Sequence, residues 1–219
     1  IYANDADDVR IVYENLVIIR DNRGKIFQYP IVINVHDCGT AYRFLLSVLA
    51  VTDGNWFLTG SERLLSRPID NLVDALRGAG ASINKSRKGL YIIGKKLAAT
   101  KITIDCTKSS QFASSLMLIS EVIGLKELEI LPEKPASTGY IAMTMIIMED
   151  INRKNKINLL EIERDWSAAA FWYALVALCD GAVCELPGLQ RASLQSDSKI
   201  IDIFNCLRVI TTETSNGIV

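Results

Sequence analysis

Ser109-Ser110-Gln111 sets two hydroxyls and an amide side by side where a strand pattern gives way to a helix pattern. Free backbone N–H groups at a helix start, with such side chains beside them, cradle a phosphate or carboxylate. The triplet reads equally as plain capping by Thr107 or Ser109, and Lys108 as a solvated charge. Arg67, before Pro68, can grip an anion with two parallel bonds or stand in solvent. Arg63 is a weaker version of it. Arg43 falls in the first turn of a helix opened by Asp37-Cys38-Gly39-Thr40. A cation there opposes the helix dipole unless an anion or carboxylate sits opposite. Ser137 and Tyr140 offer hydroxyls at a third helix start, with Tyr140 alternatively an amphipathic core residue. Asp165 and Asp197 read as helix caps. His36 is the one histidine, which disfavours a histidine triad or metal site. Neither paired carboxylates nor a Gly-rich nucleotide loop is recognisable, since Gly78-Ala79-Gly80 follows a helix pattern instead of opening one.

These residues need elements to carry them, and the sequence supplies a three-fold echo. Asp37-Cys-Gly-Thr-Ala-Tyr-Arg-Phe44, Thr107-Lys-Ser-Ser-Gln-Phe112 and Asp165-Trp-Ser-Ala-Ala-Ala-Phe171 each open an apolar helical run. Each run ends near a glycine and a short strand. Second helix starts follow at Arg67-Pro68, Ser137 and Asp197, with Pro68 fitting a first helical turn. Repeats of this length are supersecondary units that bury their apolar faces only together. Strands are expected at 56–59, 90–93, 101–105, 128–131, 183–186 and 209–212. Helices are expected at 40–51, after Pro68, from 112 to 123, around 140–147, at 167–178 and at 198–207. An opening helix is expected to turn Val9, Val12 and Leu16 inward. The predicted class is α+β, from repeated βαβαββ-like units.

The chain has 219 residues, 49% hydrophobic and 22% charged, with net charge −1. That is enough for one large or two small cores, and it carries no basic footprint for nucleic acid. The apolar stretch Ala168 to Cys179 is too short to span a bilayer and predicts a buried helix. Five scattered cysteines predict reduced thiols and a cytoplasmic protein. The polar segment 152–158 is the best linker candidate. The first residues read as the middle of a repeat, so the chain is expected to be truncated or partly observed.

Taken in order, these motifs resemble the enolpyruvyl transferase family. They are Asp37-Cys-Gly-Thr-Ala-Tyr-Arg43, Leu58-Thr-Gly-Ser-Glu-Arg-Leu-Leu-Ser-Arg-Pro-Ile69 with Leu72-Val-Asp-Ala-Leu76, Ser109-Ser-Gln-Phe112, Asp165-Trp-Ser-Ala168 and Ser193-Leu-Gln-Ser-Asp197. Each is weak alone; the ordered set, above all the Arg-Pro-Ile and Ser-Ser-Gln pieces, is specific.

The resemblance implies an inside-out α/β barrel of two domains, with residues 1–157 most of the first and 158–219 the opening of the second. It implies transfer of the enolpyruvyl group of phosphoenolpyruvate to the 5-hydroxyl of shikimate 3-phosphate, with release of phosphate. The alternatives are the sister transferase acting on a UDP-amino sugar, and a non-catalytic remnant. By position, Ser109, Ser110, Ser137 and Tyr140 would hold shikimate 3-phosphate. Gln111 would touch both substrates, and Asp37, Gly39 and Arg67 would line the phosphoenolpyruvate site. No metal or organic cofactor, no nucleic acid, no membrane and a monomer are implied. Ser196 and Lys108 depart from the family pattern. The family's early Lys-Ser motif and its proton-transferring acidic residues are expected outside this chain. The stretches 17–36, 83–91 and 150–161 are shorter than the family's, each expected to lack a loop or strand.

Overall fold

The structure, a computed structural model, describes residues 6–25, 27–133, 137–154 and 163–219. The fold is α+β. Two compact units divide between Ile141 and Ala142. The boundary expected at 157/158 lies outside the described residues.

The first unit opens with α1 (Asp7–Asn22), then β1 (Ile31–Asn34), α2 (Gly39–Val51), β2 (Gly54–Thr59), α3 (Glu62–Leu65), α4 (Asp70–Gly78), β3 (Ser82–Ser86) and β4 (Gly89–Gly94). Strands β1 and β2 run parallel, with Ile33 opposite Leu58, and β4 runs antiparallel to both β2 and β3. Short α3 aside, this is one complete βαβαββ unit with sheet order β1-β2-β4-β3. Its inner face offers Ile33, Trp56, Leu58, Ile83, Leu90 and Ile92 to Leu45, Leu46 and Leu49 of α2 and Leu72, Val73 and Leu76 of α4. The alternation of strand side chains and the helical spacing of the leucines bring those two sets face to face. Burying one leucine-sized side chain contributes about 1.5–3 kcal/mol. Trp56 is fully buried, and its indole N–H donates to the Thr52 carbonyl at 2.9 Å.

A second parallel pair follows: β5 (Lys101–Asp105) beside β6 (Glu127–Leu131), joined through α5 (Gln111–Leu118) and α6 (Ser120–Ile123). Phe112, Leu116, Ile119 and Ile123 are all buried as the periodicity predicts. Ile119, at ψ 1°, breaks the run into two helices. Helix α7 (Thr138–Lys154) then starts beyond β6 and crosses the division between the units.

Several expectations are corrected here. Helix α4 begins at Asp70, because Ile69 at φ −141° is not helical, so Pro68 stands before the helix and not in its first turn. The stretch 83–91 lacks no strand: β3 and β4 form a hairpin around Arg87-Lys88. β3 escaped notice because an edge strand reading Ser-Ile-Asn-Lys-Ser buries only Ile83. In α1 the buried face is Ile11, Asn15 and Ile19, while Val9 and Leu16 are exposed. Asn15 is buried because its amide donates to the Ile11 and Asn34 carbonyls at 2.8 and 3.0 Å, a pairing that hydrophobicity does not register. Residues 152–154 continue α7; the rest of the expected linker lies outside the described residues.

The second unit packs α8 (Trp166–Leu178) on α9 (Ile200–Asn205) and on a small antiparallel sheet of β7 (Leu186–Pro187), β8 (Glu213–Thr214) and β9 (Gly217–Ile218). Trp166, Ala169, Tyr173, Leu189, Ile201 and Ile218 are its core. The strands expected at 183–186 and 209–212 are not formed, apart from Leu186. A 3₁₀ turn over 196–199 precedes α9, and Ile201 is buried while Ile203 and Leu207 are exposed. The buried-helix expectation for 168–179 is also corrected. Phe171 is 79% exposed and Leu178 84%, because this small unit covers only one side of a helix that is apolar all round.

Candidate functional site

The candidate residues cluster at the carboxyl ends of the parallel strands. Register places Asn34 opposite Thr59 and Asp105 opposite Leu131. The chain therefore leaves β1 into Asp37–Gly39 and β2 into the segment reaching Arg67. It leaves β5 into Ser109–Gln111 and β6 into Ser137–Tyr140. In open α/β sheets, ligands bind at this edge.

Two backbone features fix the first corner. His36 has φ 49° and Gly60 backs onto it. A methyl group on Gly60 would lie 2.5 Å from the His36 carbonyl oxygen, so only glycine permits the approach. That oxygen accepts from the Ser61 amide at 2.8 Å. The Ser61 hydroxyl donates to Asp37 Oδ1 at 2.5 Å and accepts from the Leu64 amide, capping α3. Arg63 Nε lies 3.4 Å from the same Asp37 oxygen. The Ser61 bond, with the Arg63 and Arg67 charges, holds the Asp37 carboxyl below its ordinary pKa against an opposing burial effect. Asp37 thus ties the start of α2 to the start of α3.

Arg67 sits in the turn closing α3, its amide donating to the Leu64 carbonyl, and not at the start of α4 as expected. Its side chain is exposed yet reaches Gly39, where a methyl group would lie 3.0 Å from its Nη1. Arg43 Nη1 stands at that same distance. Gly39 itself is buried as the first residue of α2, whose Cys38 cap accepts from the Ala41 amide through sulfur at 3.3 Å.

From the other helix, Gln111 opens α5. Its Oε1 accepts from Arg43 Nη1 at 2.9 Å, and its Nε2 donates to Thr40 Oγ1 at 3.0 Å. The Ser109 hydroxyl accepts from the Gln111 amide at 3.3 Å, while Ser110 occupies the cap position with no side-chain cap bond. Deeper, Ser115 Oγ donates to the Arg43 carbonyl at 2.7 Å and lies 2.6 Å from Ser47 Oγ. Arg43 is nine-tenths buried over the Phe112 ring. Burial first, and then the Arg67 charge, push its pKa down, although a guanidinium stays charged.

The structure therefore brings Asp37, Gly39, Arg67 and Gln111 to one corner, with Ser109 and Ser110 adjoining. Ser137 and Tyr140 stand at the start of α7, where Ser137 takes φ 64° and its carbonyl accepts from the Tyr140 amide. Such left-handed backbone on a non-glycine residue costs about 1–3 kcal/mol and concentrates at functional sites. Sequence reasoning undervalued Arg43 and passed over Thr40; an arginine among Tyr42, Phe44 and Leu45 was the available signal. Two guanidinium groups facing one glycine at a helix N-terminus, with an amide beside them, have the donors and charge to receive an anion.

The motifs of the second unit also meet. Asp165 Oδ1 caps α8 by accepting from the Ser167 amide at 2.8 Å, as expected, and the Ser167 hydroxyl donates to Asp197. Gln195 Oε1 accepts from the Trp166 amide at 3.0 Å. Among the described residues, no group of histidine, cysteine, aspartate and glutamate side chains could hold a metal ion, and no helix is long and apolar enough to cross a membrane.

A family model described as EPSP synthase (3-phosphoshikimate 1-carboxyvinyltransferase) matches residues 7–219. The 3-phosphoshikimate 1-carboxyvinyltransferase of Bacteroides fragilis is 36% identical over 206 residues, covering 85% of this chain and 50% of that protein. The protein of the same name in Methanospirillum hungatei is 30% identical over 251 residues, covering 98% of this chain and 58% of its own length. A solved EPSP synthase from Acinetobacter baumannii superposes with TM-score 0.38 at 23% identity, over 51% of this chain and 26% of the other. The chain spans about half the length of the curated relatives it matches.

Proposed function

Because this chain belongs to the EPSP synthase family, we propose that the protein transfers the enolpyruvyl group of phosphoenolpyruvate to the 5-hydroxyl of shikimate 3-phosphate, releasing phosphate. Arg67 neutralises the phosphoenolpyruvate dianion against Gly39 and the start of α2, with Asp37 bracing the loop that carries it. Gln111 contacts both substrates from α5. Ser109, Ser110, Ser137 and Tyr140 hold shikimate 3-phosphate along the carboxyl ends of β5 and β6. The contribution of these residues is positioning and charge compensation, which together lower a barrier by holding reactants in reacting geometry. Residues 1–157 form most of the first domain and 158–219 open the second. The protein acts in the cytoplasm as a monomer.

The observation that carries this reading is the approach of the Arg43 and Arg67 guanidinium groups to Gly39 beside Gln111. The relatives in Bacteroides fragilis and Methanospirillum hungatei, both bearing the shikimate enzyme's name, favour that substrate over a UDP-amino sugar. The test is phosphate release from phosphoenolpyruvate by the protein expressed at its full natural length. Release that depends on shikimate 3-phosphate supports the proposal. Release that depends on the UDP-amino sugar, or none at all, overturns it.

A further inference from the structure

Arg43 is a buried cation whose neighbours do not include a carboxylate among the described residues. Its Nη1 donates to the Gly39 carbonyl at 3.2 Å and to Gln111 Oε1 at 2.9 Å. Its Nε is buried without a partner among the described residues, and the Phe112 ring centroid lies 5.7 Å from its central carbon. Holding a charge in this setting costs stability, so what it does for its neighbours needs an account.

Gln111 is that neighbour. An amide side chain is close to symmetric in shape and has two flip states that exchange donor and acceptor. Arginine has donors only, so the end of Gln111 facing Arg43 is oxygen in the stable state. The nitrogen is then forced to the opposite side, where Thr40 Oγ1 accepts one of its hydrogens. One amide hydrogen is left over. Both helices are clamped at this level. The Ser109 hydroxyl accepts from the Gln111 backbone N–H, and Ser115 Oγ donates to the Arg43 carbonyl. One turn further along, Ser47 and Ser115 join α2 to α5 again.

We infer that Arg43 is a positioning residue that locks the Gln111 amide in one flip state, so that its spare Nε2 hydrogen is presented to an oxygen of the bound phospho-compound. The inference rests on the reading of Gln111 as a substrate contact. In the reversed state Gln111 would turn its NH2 group on a guanidinium and its oxygen on the anion, losing both interactions at once.

The experiment follows the Gln111 side-chain amide by ¹⁵N–¹H NMR in the full-length protein, assigned by its disappearance in Gln111→Ala. In the wild type, two well-separated, slowly exchanging signals are expected. In Arg43→Met they collapse to the positions of a free glutamine. Calorimetric affinity for shikimate 3-phosphate and phosphoenolpyruvate falls about tenfold in Arg43→Met, and the loss in the double variant Arg43→Met with Gln111→Ala falls well short of the sum of the two single losses. Unchanged amide signals in a folded Arg43→Met protein, or losses that add in the double variant, overturn the inference. If Arg43→Met does not fold, Thr40→Val decides. With Arg43 in place the two signals stay separated and only one loses protection; collapse of both would show that Arg43 is not what fixes the amide. A wild-type protein that binds neither compound would overturn the substrate reading instead, while the amide signals still decide the role of Arg43.

Discussion

Arg43 and Arg67, twenty-four positions apart on different elements, bring their Nη1 atoms to the same glycine. A methyl group on Gly39 would meet each at 3.0 Å, so the two nitrogens lie within twice that distance of one another. Like charges so close repel, and burial first, then the Arg67 charge, lower the pKa of Arg43. An anion bound between the two would offset that repulsion.

Arg67→Lys keeps the charge and loses the planar fork. Its expected effect is a loss of about 2 kcal/mol, or about thirtyfold, in phosphoenolpyruvate affinity. The thermal midpoint should hold, because the side chain is exposed. Titration calorimetry alongside a melting curve checks both. A fall in stability without a fall in affinity would assign Arg67 to the fold.

Gly39→Ala tests the convergence from the other side. The atoms its methyl group would crowd are the far ends of the exposed Arg67 and the buried Arg43 side chains. The helix therefore forms and the guanidinium groups move. We expect phosphoenolpyruvate affinity to fall about tenfold, consistent with the usual 1–3 kcal/mol of overpacking, and calorimetry of the folded variant reads it.

Asp37 gives a pH signature. The Ser61 hydroxyl first, then Arg63 and Arg67, depress its pKa in the folded state. A depressed carboxyl contributes stability above its unfolded pKa and loses that contribution as the pH falls through the folded value. The difference in melting temperature between wild type and Asp37→Asn should therefore be largest near neutrality. It should close below the ordinary carboxylate range of about 4. A difference that is constant with pH would exclude this role.

Ser115→Ala removes the donor to the Arg43 carbonyl and the partner of Ser47, both fully inside the α2–α5 contact. Leaving a buried hydroxyl unpaired costs about 1–3 kcal/mol. Urea unfolding should show that loss with no change in slope.

The thiols separate by environment. Burial pushes Cys38 up to about 11 and raises Cys106, whereas Cys179, Cys184 and Cys206 have solvent access. The thiolate is the reactive form. At mildly alkaline pH a thiol reagent should label the latter three in the native protein, with Cys38 and Cys106 labelled only after unfolding, as read by peptide mass spectrometry.

The sequence alone carried the α+β class, most of the helix and strand order of the first unit, the buried stripes of α4 and α5, and the strand-to-helix segment that holds Ser109-Ser110-Gln111. These follow from side-chain period and capping chemistry, which are local. It missed β3, whose edge position leaves only Ile83 to bury, and misjudged α1, where a hydrogen-bonded Asn15 holds a place that hydrophobicity assigns to leucine. It overstated the burial of α8, because how much of an apolar helix is covered depends on what packs around it. Only the tertiary structure decided that Arg43 turns inward to Gln111, 68 positions away, and that Arg67 reaches back to Gly39. The direction of a long side chain is set by partners that arrive from distant strands, and parallel pairing of β1 with β2 and of β5 with β6 is what delivers them.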